Sequence, residues 1–315
     1  MYKRNYLPSV YFIIPYFGPW PVWLPLFLES CRHNSGFNWL LFGDQKKPNY
    51  LPSNVRWQKM NLAEFNRLAQ HETGLAFNIK TPYKICDARP MFGQIFNKYL
   101  KNASFWGHSD LDILYGDLNS FGIKKSLLSC DVYTPCDSIV GHFTLYRNVE
   151  TINKLYLKLE NLPQAYRHSP RSLGYDEKGM NAVLHRTKNV RFSQITDYKK
   201  ELSKNRCAIG ASIMHCGQVI RERLTAMEKY VWKDGKTFQL NGSRKREFMY
   251  LHFLTWKSES FWLKYNPSGK VLRQFYLDVS GFSLKSKLSI DKISRGIRLI
   301  QCVTKLVKRA SKRVF

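Results

Sequence analysis

Apolar residues in this chain fall into short unbroken runs that alternate with stretches of helical period. Residues 9–15, SVYFIIP, are β-branched and aromatic almost throughout, which predicts a buried strand. Prolines follow. Leu24, Phe27, Leu28 and Cys31 then recur at helical spacing and predict a helix over residues 21–32 with proline in its first turn. FNWLLF (37–42) predicts a second strand closed by Gly43-Asp44, residues 54–60 a weaker strand, and residues 62–70 a short helix. Residues 86–100 place Phe92, Ile95, Phe96 and Tyr99 on one face and predict a longer helix. Residues 104–108 then form a strand whose carboxyl end delivers Asp110 and Asp112. Beyond Leu118 the pattern is less regular, with helices expected over about 149–160 and about 176–184 and a late strand over 249–257. Strands alternating with helices on short connections predict an α/β fold with a mostly parallel sheet. Ligands of such sheets bind at the carboxyl ends of the strands, where Pro15-Tyr16, Asp44 and Asp110/Asp112 all fall.

The C-terminal stretch differs. Stepping 100° per residue, Ile293, Ile297, Ile300, Val303, Thr304 and Val307 share one face, while Arg298, Lys305, Lys308, Arg309, Lys312 and Arg313 fall on the other. That predicts a basic amphipathic helix over 292–313, of the kind that lies in an anionic membrane interface or packs its apolar stripe on a domain. One other segment raises the question of a membrane. Residues 10–28 are apolar, but Pro15, Pro19, Pro21 and Pro25 remove backbone donors within a few turns, so a strand and a turn fit better than a spanning helix.

Composition adds two constraints. With 44% hydrophobic residues over 315 positions the chain can bury a large core, which excludes a disordered protein. A formal net charge of +27 calls for an anionic partner: nucleic acid, an acidic membrane face or a phosphorylated substrate. Cys31, Cys86, Cys130, Cys136, Cys207, Cys216 and Cys302 form no CxxC pair and are odd in number, which argues against a disulfide framework or a zinc cluster and for reduced thiols in a cytosolic protein.

The chemistry concentrates in FWGHSDLDILYGDL (105–118). Two carboxylates at i and i+2 just past a buried strand can be aimed at one hard divalent cation, which takes oxygen ligands and substrate phosphates. A lone DxD is weak evidence; its placement between two apolar runs strengthens it. Asp117 suits a turn. YKICDARP carries Lys84, Asp87 and Arg89 at the expected start of a helix, where backbone donors favour anions. LGYDEKGMN carries Asp176 and Glu177, fit either for capping a helix or for taking a proton. GHFTLYRN carries His142 and Arg147.

The order IIPYFG, WLLFGD, YKICDARPMFGQIF, FWGHSDLDILYGDL, GHFTLYRN, YDEKGMN, YLHFLTWK resembles a family of bacterial polysaccharide-cluster glycosyltransferases similar to the GT-A class, over about residues 10–257. The resemblance implies a GT-A-like, Rossmann-type sheet flanked by helices over 1–260, with a nucleotide-binding half at about 1–120, an acceptor half at about 121–260 and a basic extension at 261–315. It implies Mn²⁺ or Mg²⁺ as cofactor, with Asp112 as direct ligand, Asp110 on the metal or the ribose, and His252 completing the shell. Pro15, Tyr16, Asp44, Lys84, Asp87 and Asp110 would bind the nucleotide, and Lys257 a phosphate. Asp176 and Glu177 would carry catalysis. In an inverting enzyme one of them is the base; in a retaining one Asp176 or Asn181 touches the donor sugar, and both outcomes stay open. The implied partners are a UDP- or GDP-type nucleotide sugar and a glycan or lipid-linked acceptor of capsule, exopolysaccharide or lipopolysaccharide type, reached from the inner face of the membrane. Two other readings compete: a nucleic-acid-binding protein or metallonuclease, and a scaffold that keeps the fold without activity. Against the first, the aromatic residues lie in strand-like runs rather than among Arg and Lys as stacking platforms would.

Overall fold

β1 (Val10–Pro15), β2 (Phe37–Gly43) and β3 (Val55–Lys59) form where the apolar runs predict strands. The structure, a computed structural model, describes residues 7–135, 138–162, 172–193, 229–241, 244–252, 257, 265, 272–278 and 281–284. The helix expected over 292–313 lies outside these residues, as do 253–256 of the late strand expected over 249–257. The chain divides into two compact units: Met1–Pro21, Asn34–Leu111 and Leu118–Lys204 make the first, and Val22–His33, Asp112–Asp117 and Asn205–Phe315 the second.

The first unit is built on a seven-stranded sheet in the order β3-β2-β1-β4-β7-β6-β8. Here β4 is Phe105–Ser109, β6 Val132–Tyr133, β7 Phe143–Arg147 and β8 Phe192–Ser193. Strands β3, β2, β1 and β4 run parallel, and β7 then pairs antiparallel with both β4 and β6. The sheet is therefore mixed: β6 pairs parallel with β8, and β7 is the one reversed strand among the seven.

Two aromatic groups fill the core. Phe12, Phe37, Trp39 and Phe143 pack together, with Phe12 5.6 Å from Trp39 and 5.1 Å from Phe143 between ring centroids. A second group joins Phe42, Phe65, Phe92 and Phe96, the closest pair being Phe42 and Phe96 at 4.4 Å. Phe65 comes from α2 (Leu62–Thr73), whose start is held by a reciprocal cap: Asn61 Oδ1 accepts from the Glu64 N–H at 2.9 Å, and Glu64 Oε2 accepts from the Asn61 N–H at 2.7 Å.

Two expected helices are broken. Residues 86–100 are a 3₁₀ segment Pro82–Met91, a single helical turn Phe92–Ile95 and a 3₁₀ turn Asn97–Tyr99. Pro90 is the cause: it has no N–H to give Cys86, and its ring would clash with that carbonyl in an α-helix. Residues 149–160 likewise resolve into Glu150–Asn153 and a 3₁₀ turn Leu155–Lys158.

Asp131 ties β6 to its neighbours. Its carboxylate accepts from Arg147 Nε at 2.8 Å, Arg191 Nη2 at 2.8 Å and the Arg191 N–H at 3.0 Å. The Arg191 bonds, and then those of Arg147, outweigh burial and hold the acid well below the usual carboxylate range. A carboxylate with a depressed folded pKa adds stability above its unfolded value, and that stability is lost as pH falls below about 4. Asp131→Asn is expected to lower unfolding free energy by about 1–3 kcal/mol at pH 7 and to flatten the acid side of the stability curve. Urea unfolding at several pH values measures both.

The second unit contains α1 (Leu24–Arg32), a two-stranded sheet of β5 (Ile113–Tyr115) and β12 (Tyr250–His252), and a five-stranded antiparallel sheet. The latter comprises β9 (Lys229–Lys233), β10 (Lys236–Asn241), β11 (Arg244–Phe248), β13 (Gln274–Asp278) and β14 (Gly281–Ser283), in the order β11-β10-β9-β13-β14. Asp234 and Gly235, at φ 46° and 80°, make the two-residue turn between β9 and β10. Leu26, Leu114, Trp232, Phe248, Leu251 and Phe275 share one core. β13 and β14 complete this sheet at one edge. No helix among the described residues is long and apolar enough to cross a membrane. Cys31, Cys86 and Cys130 form no disulfide, and burial pushes the Cys86 thiol up to about 12.

Candidate functional site

In the first unit, β4 ends in His108 and Ser109, and Asp110 follows directly. Arg89, carried by the proline-bounded 3₁₀ segment, reaches this end. Its Nη2 donates to Asp110 Oδ1, and its Nη1 donates to Asp176 Oδ2 at 2.9 Å. Asp110, Arg89 and Asp176 thus form a chain of two acids around one guanidinium.

Asp176 is presented by a π-turn, Tyr175–Gly179, that leads into the helix Met180–Arg186. The turn is set up by Gly174, whose φ of 70° a side chain resists, and by Asp87. The Asp87 carboxylate accepts from the N–H groups of Leu173 at 2.8 Å and Tyr175 at 3.1 Å, from Ser172 Oγ at 3.1 Å, and meets Lys84 Nζ at 2.9 Å. Lys84 and Asp87 are thereby engaged with each other inside the unit, where they hold the turn that carries Asp176 and Glu177. Glu177 Oε1 accepts from the Gly141 N–H at 2.9 Å. Asn181 braces the same loop, Oδ1 accepting from the Ile139 N–H at 2.9 Å.

Burial sets the electrostatics. Asp176 is 5% exposed, and burial pushes its carboxyl up to about 7; Arg89 opposes the shift, and Glu177 and Asp87 reinforce it. His108 is driven the other way, down to about 3, by burial and by Arg89. It is a neutral ring whose Nδ1–H donates to the Gly141 carbonyl at 2.7 Å. Gly141 is thus pinned from both sides. A Cβ there would lie 2.5 Å from Arg89 Nη1 and 2.6 Å from Asp176 Oδ2. Gly141→Ala is expected to push that ion pair apart and to cost about 1–3 kcal/mol of stability, together with most of the activity assigned below; thermal melts and turnover of the purified variant check it.

Pro15, Tyr16 and Asp44 lie at the carboxyl ends of β1 and β2. The Tyr16 N–H donates to the Phe42 carbonyl at 2.8 Å, and Asp44 Oδ1 accepts from the Gly18 N–H at 3.1 Å. Trp20, absent from the sequence expectation, stacks on Tyr16 with centroids 5.8 Å apart and planes at 9°. Arg147 does not join this end. Antiparallel pairing sets it opposite Phe105, at the start of β4, where Asp131 holds it.

In the second unit, Asp112 leads into β5 and His252 ends β12. The register Ile113↔His252 places them side by side, with His252 Nε2 3.3 Å from Asp112 Oδ2. Lys257 Nζ lies 2.5 Å from the same oxygen. Asp112 is 4% exposed. Burial works against its charge, but His252 and then Lys257 outweigh it and hold the acid well below the usual carboxylate range. Asp110 precedes Asp112 by two residues, so the expected donor set of two carboxylates and one imidazole is complete in type and suits a divalent ion.

No curated protein sequence matches the chain. Two solved structures are similar to it in part. The glycosyltransferase GlyE of Streptococcus pneumoniae TIGR4 is 15% identical over 61% of this chain and 46% of its own, with a TM-score of 0.32. The galactosyltransferase LgtC, in complex with donor and acceptor sugar analogs, is 11% identical over 54% of this chain and 71% of its own, with a TM-score of 0.31. The chain spans less than half the length of the first. The family model that matches is not one of polysaccharide-cluster glycosyltransferases: it covers residues 12–282 and describes a family of unknown function, DUF6625, to which this chain belongs.

Proposed function

We propose that this protein is a metal-dependent glycosyltransferase that moves a sugar from a UDP- or GDP-type donor to a surface-glycan acceptor. One observation carries the reading. The first unit gathers Tyr16, Asp44, Asp110, Arg89 and Asp176 at the carboxyl ends of β1, β2 and β4, where ligands of parallel sheets dock. Motif order supplies the reaction class.

On this reading the half-buried Tyr16 and Trp20 rings face the base and ribose, with Asp44 close by. Asp110, Asp112 and His252 hold a divalent ion, Mn²⁺ or Mg²⁺. When bound, that ion offsets the negative charge that builds on the departing diphosphate. Lys257, 42% exposed and beside Asp112, is placed to meet a phosphate oxygen. Asp176 takes the proton of the acceptor hydroxyl in an inverting reaction, for which a carboxyl raised by burial to about 7 is suited, or touches the donor sugar in a retaining one. The Lys84–Asp87 pair acts through the turn it holds.

The test is thermal stability of the purified chain against a panel of nucleotides, with and without Mn²⁺. Stabilisation by one nucleoside diphosphate, only with the metal present, is expected and names the base. A shift with DNA or anionic vesicles and with no nucleotide would overturn the transferase reading.

A further inference from the structure

We infer that Arg89 is a built-in counter-cation of Asp110 that opposes a divalent ion there, and that Asp176 sets how strongly it does so. The inference rests on the metal reading above and goes beyond it.

Arg89 divides its guanidinium between two acids, Nη2 to Asp110 and Nη1 to Asp176. The side chain is 13% exposed and confined. Pro90 follows it in the 3₁₀ segment, and Gly141 passes so close that even a methyl group would touch Nη1. A guanidinium stays charged at any working pH. Fixed against a carboxylate, it lowers that carboxylate's affinity for a second cation by direct repulsion and by occupying an oxygen. Asp176 draws the same guanidinium the other way. Whatever strengthens the Arg89–Asp176 contact therefore frees Asp110 for the metal, and a metal on Asp110 drives Arg89 toward Asp176. The coupling is reciprocal. Metal loading would in this way prepare the acid assigned to the reaction, through one side chain.

Mn²⁺ binding to the full chain, without nucleotide, measured by calorimetry, tests it. Arg89→Met removes the competing charge and is expected to tighten Mn²⁺ about fivefold to tenfold. Asp176→Asn drops the charge that draws Arg89 away from Asp110 and is expected to weaken Mn²⁺ by a similar factor. Loss of a nearby negative charge would also weaken binding by itself. The double variant separates the two: acting through Arg89, Asp176→Asn should have little effect in the Arg89→Met background. If Arg89→Met does not fold, Arg89→Gln replaces it. Equal weakening by Asp176→Asn in both backgrounds, or looser binding in Arg89→Met, overturns the inference while leaving the metal site standing. No Mn²⁺ binding by the unaltered chain overturns the metal reading and this inference together.

Discussion

Asp112→Ala is expected to remove metal-dependent nucleotide binding and to slow sugar transfer by about a hundredfold to a thousandfold, the usual cost of losing one charge-stabilising group at a developing anion. The same change should leave the fold nearly intact. Asp112 is buried, but its two charged partners need not remain so without it. An imidazole carries no obligatory charge, and Lys257 is 42% exposed and can turn its ammonium to water. No uncompensated buried charge is left, which is what makes most broken buried pairs costly. β5 and β12 keep their ladder, since Ile113, Leu114 and Tyr115 pair through the backbone with His252, Leu251 and Tyr250. The measurement is release of nucleoside diphosphate from a donor panel, beside a thermal melt of the same sample. Turnover within about threefold of the unaltered chain, against the charge-stabilisation cost above, would mean that Asp112 holds no ion that matters to the reaction.

The strands of the parallel region were legible because each carries its own signal. β1 and β2 are nearly unbroken apolar runs and β4 opens on one, as strands buried on both faces do. The reversal at β7 was not. GHFTLYRN reads equally well in either direction, and only pairing with β4 decides it. The broken helix after Pro82 shows the reverse error: the spacing of Phe92, Ile95, Phe96 and Tyr99 outweighed Pro90 in the sequence reading, whereas a missing N–H and a ring clash outweigh amphipathic spacing in the chain. The β9–β10 hairpin had an available signal, Asp234-Gly235 between two alternating runs, that the reading passed over.

The site divides in the same way. Acids that stand out locally, Asp110, Asp112, Asp176 and Glu177, could be named from spacing and flanks. Their partners could not. Arg89 lies 21 residues from Asp110 and 87 from Asp176, so its role as the bridge between them exists only in the fold. Asp87 is a similar case. Its bonds to the N–H groups of Leu173 and Tyr175 join residues 86 and 88 positions apart, which no local pattern shows. His108 was in plain view in FWGHS and had no local mark; burial and the Gly141 carbonyl define it.

Asp176→Asn is expected to abolish most transfer and yet to stabilise the protein above neutral pH. Burial raises the folded pKa of Asp176 to about 7, whereas a free aspartate titrates near about 4. A group whose folded pKa is raised contributes stability that is complete below the unfolded value and is lost as pH rises through the folded one. Above pH 7 the folded chain therefore carries a buried carboxylate at a cost of up to about 4 kcal/mol, three pKa units at 1.36 kcal/mol each. Asparagine keeps an acceptor oxygen for Arg89 Nη1 and drops the charge. The variant should match the unaltered chain at pH 4 and exceed it increasingly from pH 5 to 8, which urea unfolding across that range reads directly. Turnover should move oppositely. In the unaltered chain it should rise through about pH 7 as Asp176 ionises, and in the variant it should be low and flat. Glu177→Gln is the control. Its amide oxygen can still accept from the Gly141 N–H, so the loop holds and most of the rate should survive. If Glu177→Gln instead proves the more damaging change, or if Asp176→Asn gains no stability at pH 8, then Asp176 is not the ionisable group on which this site was built.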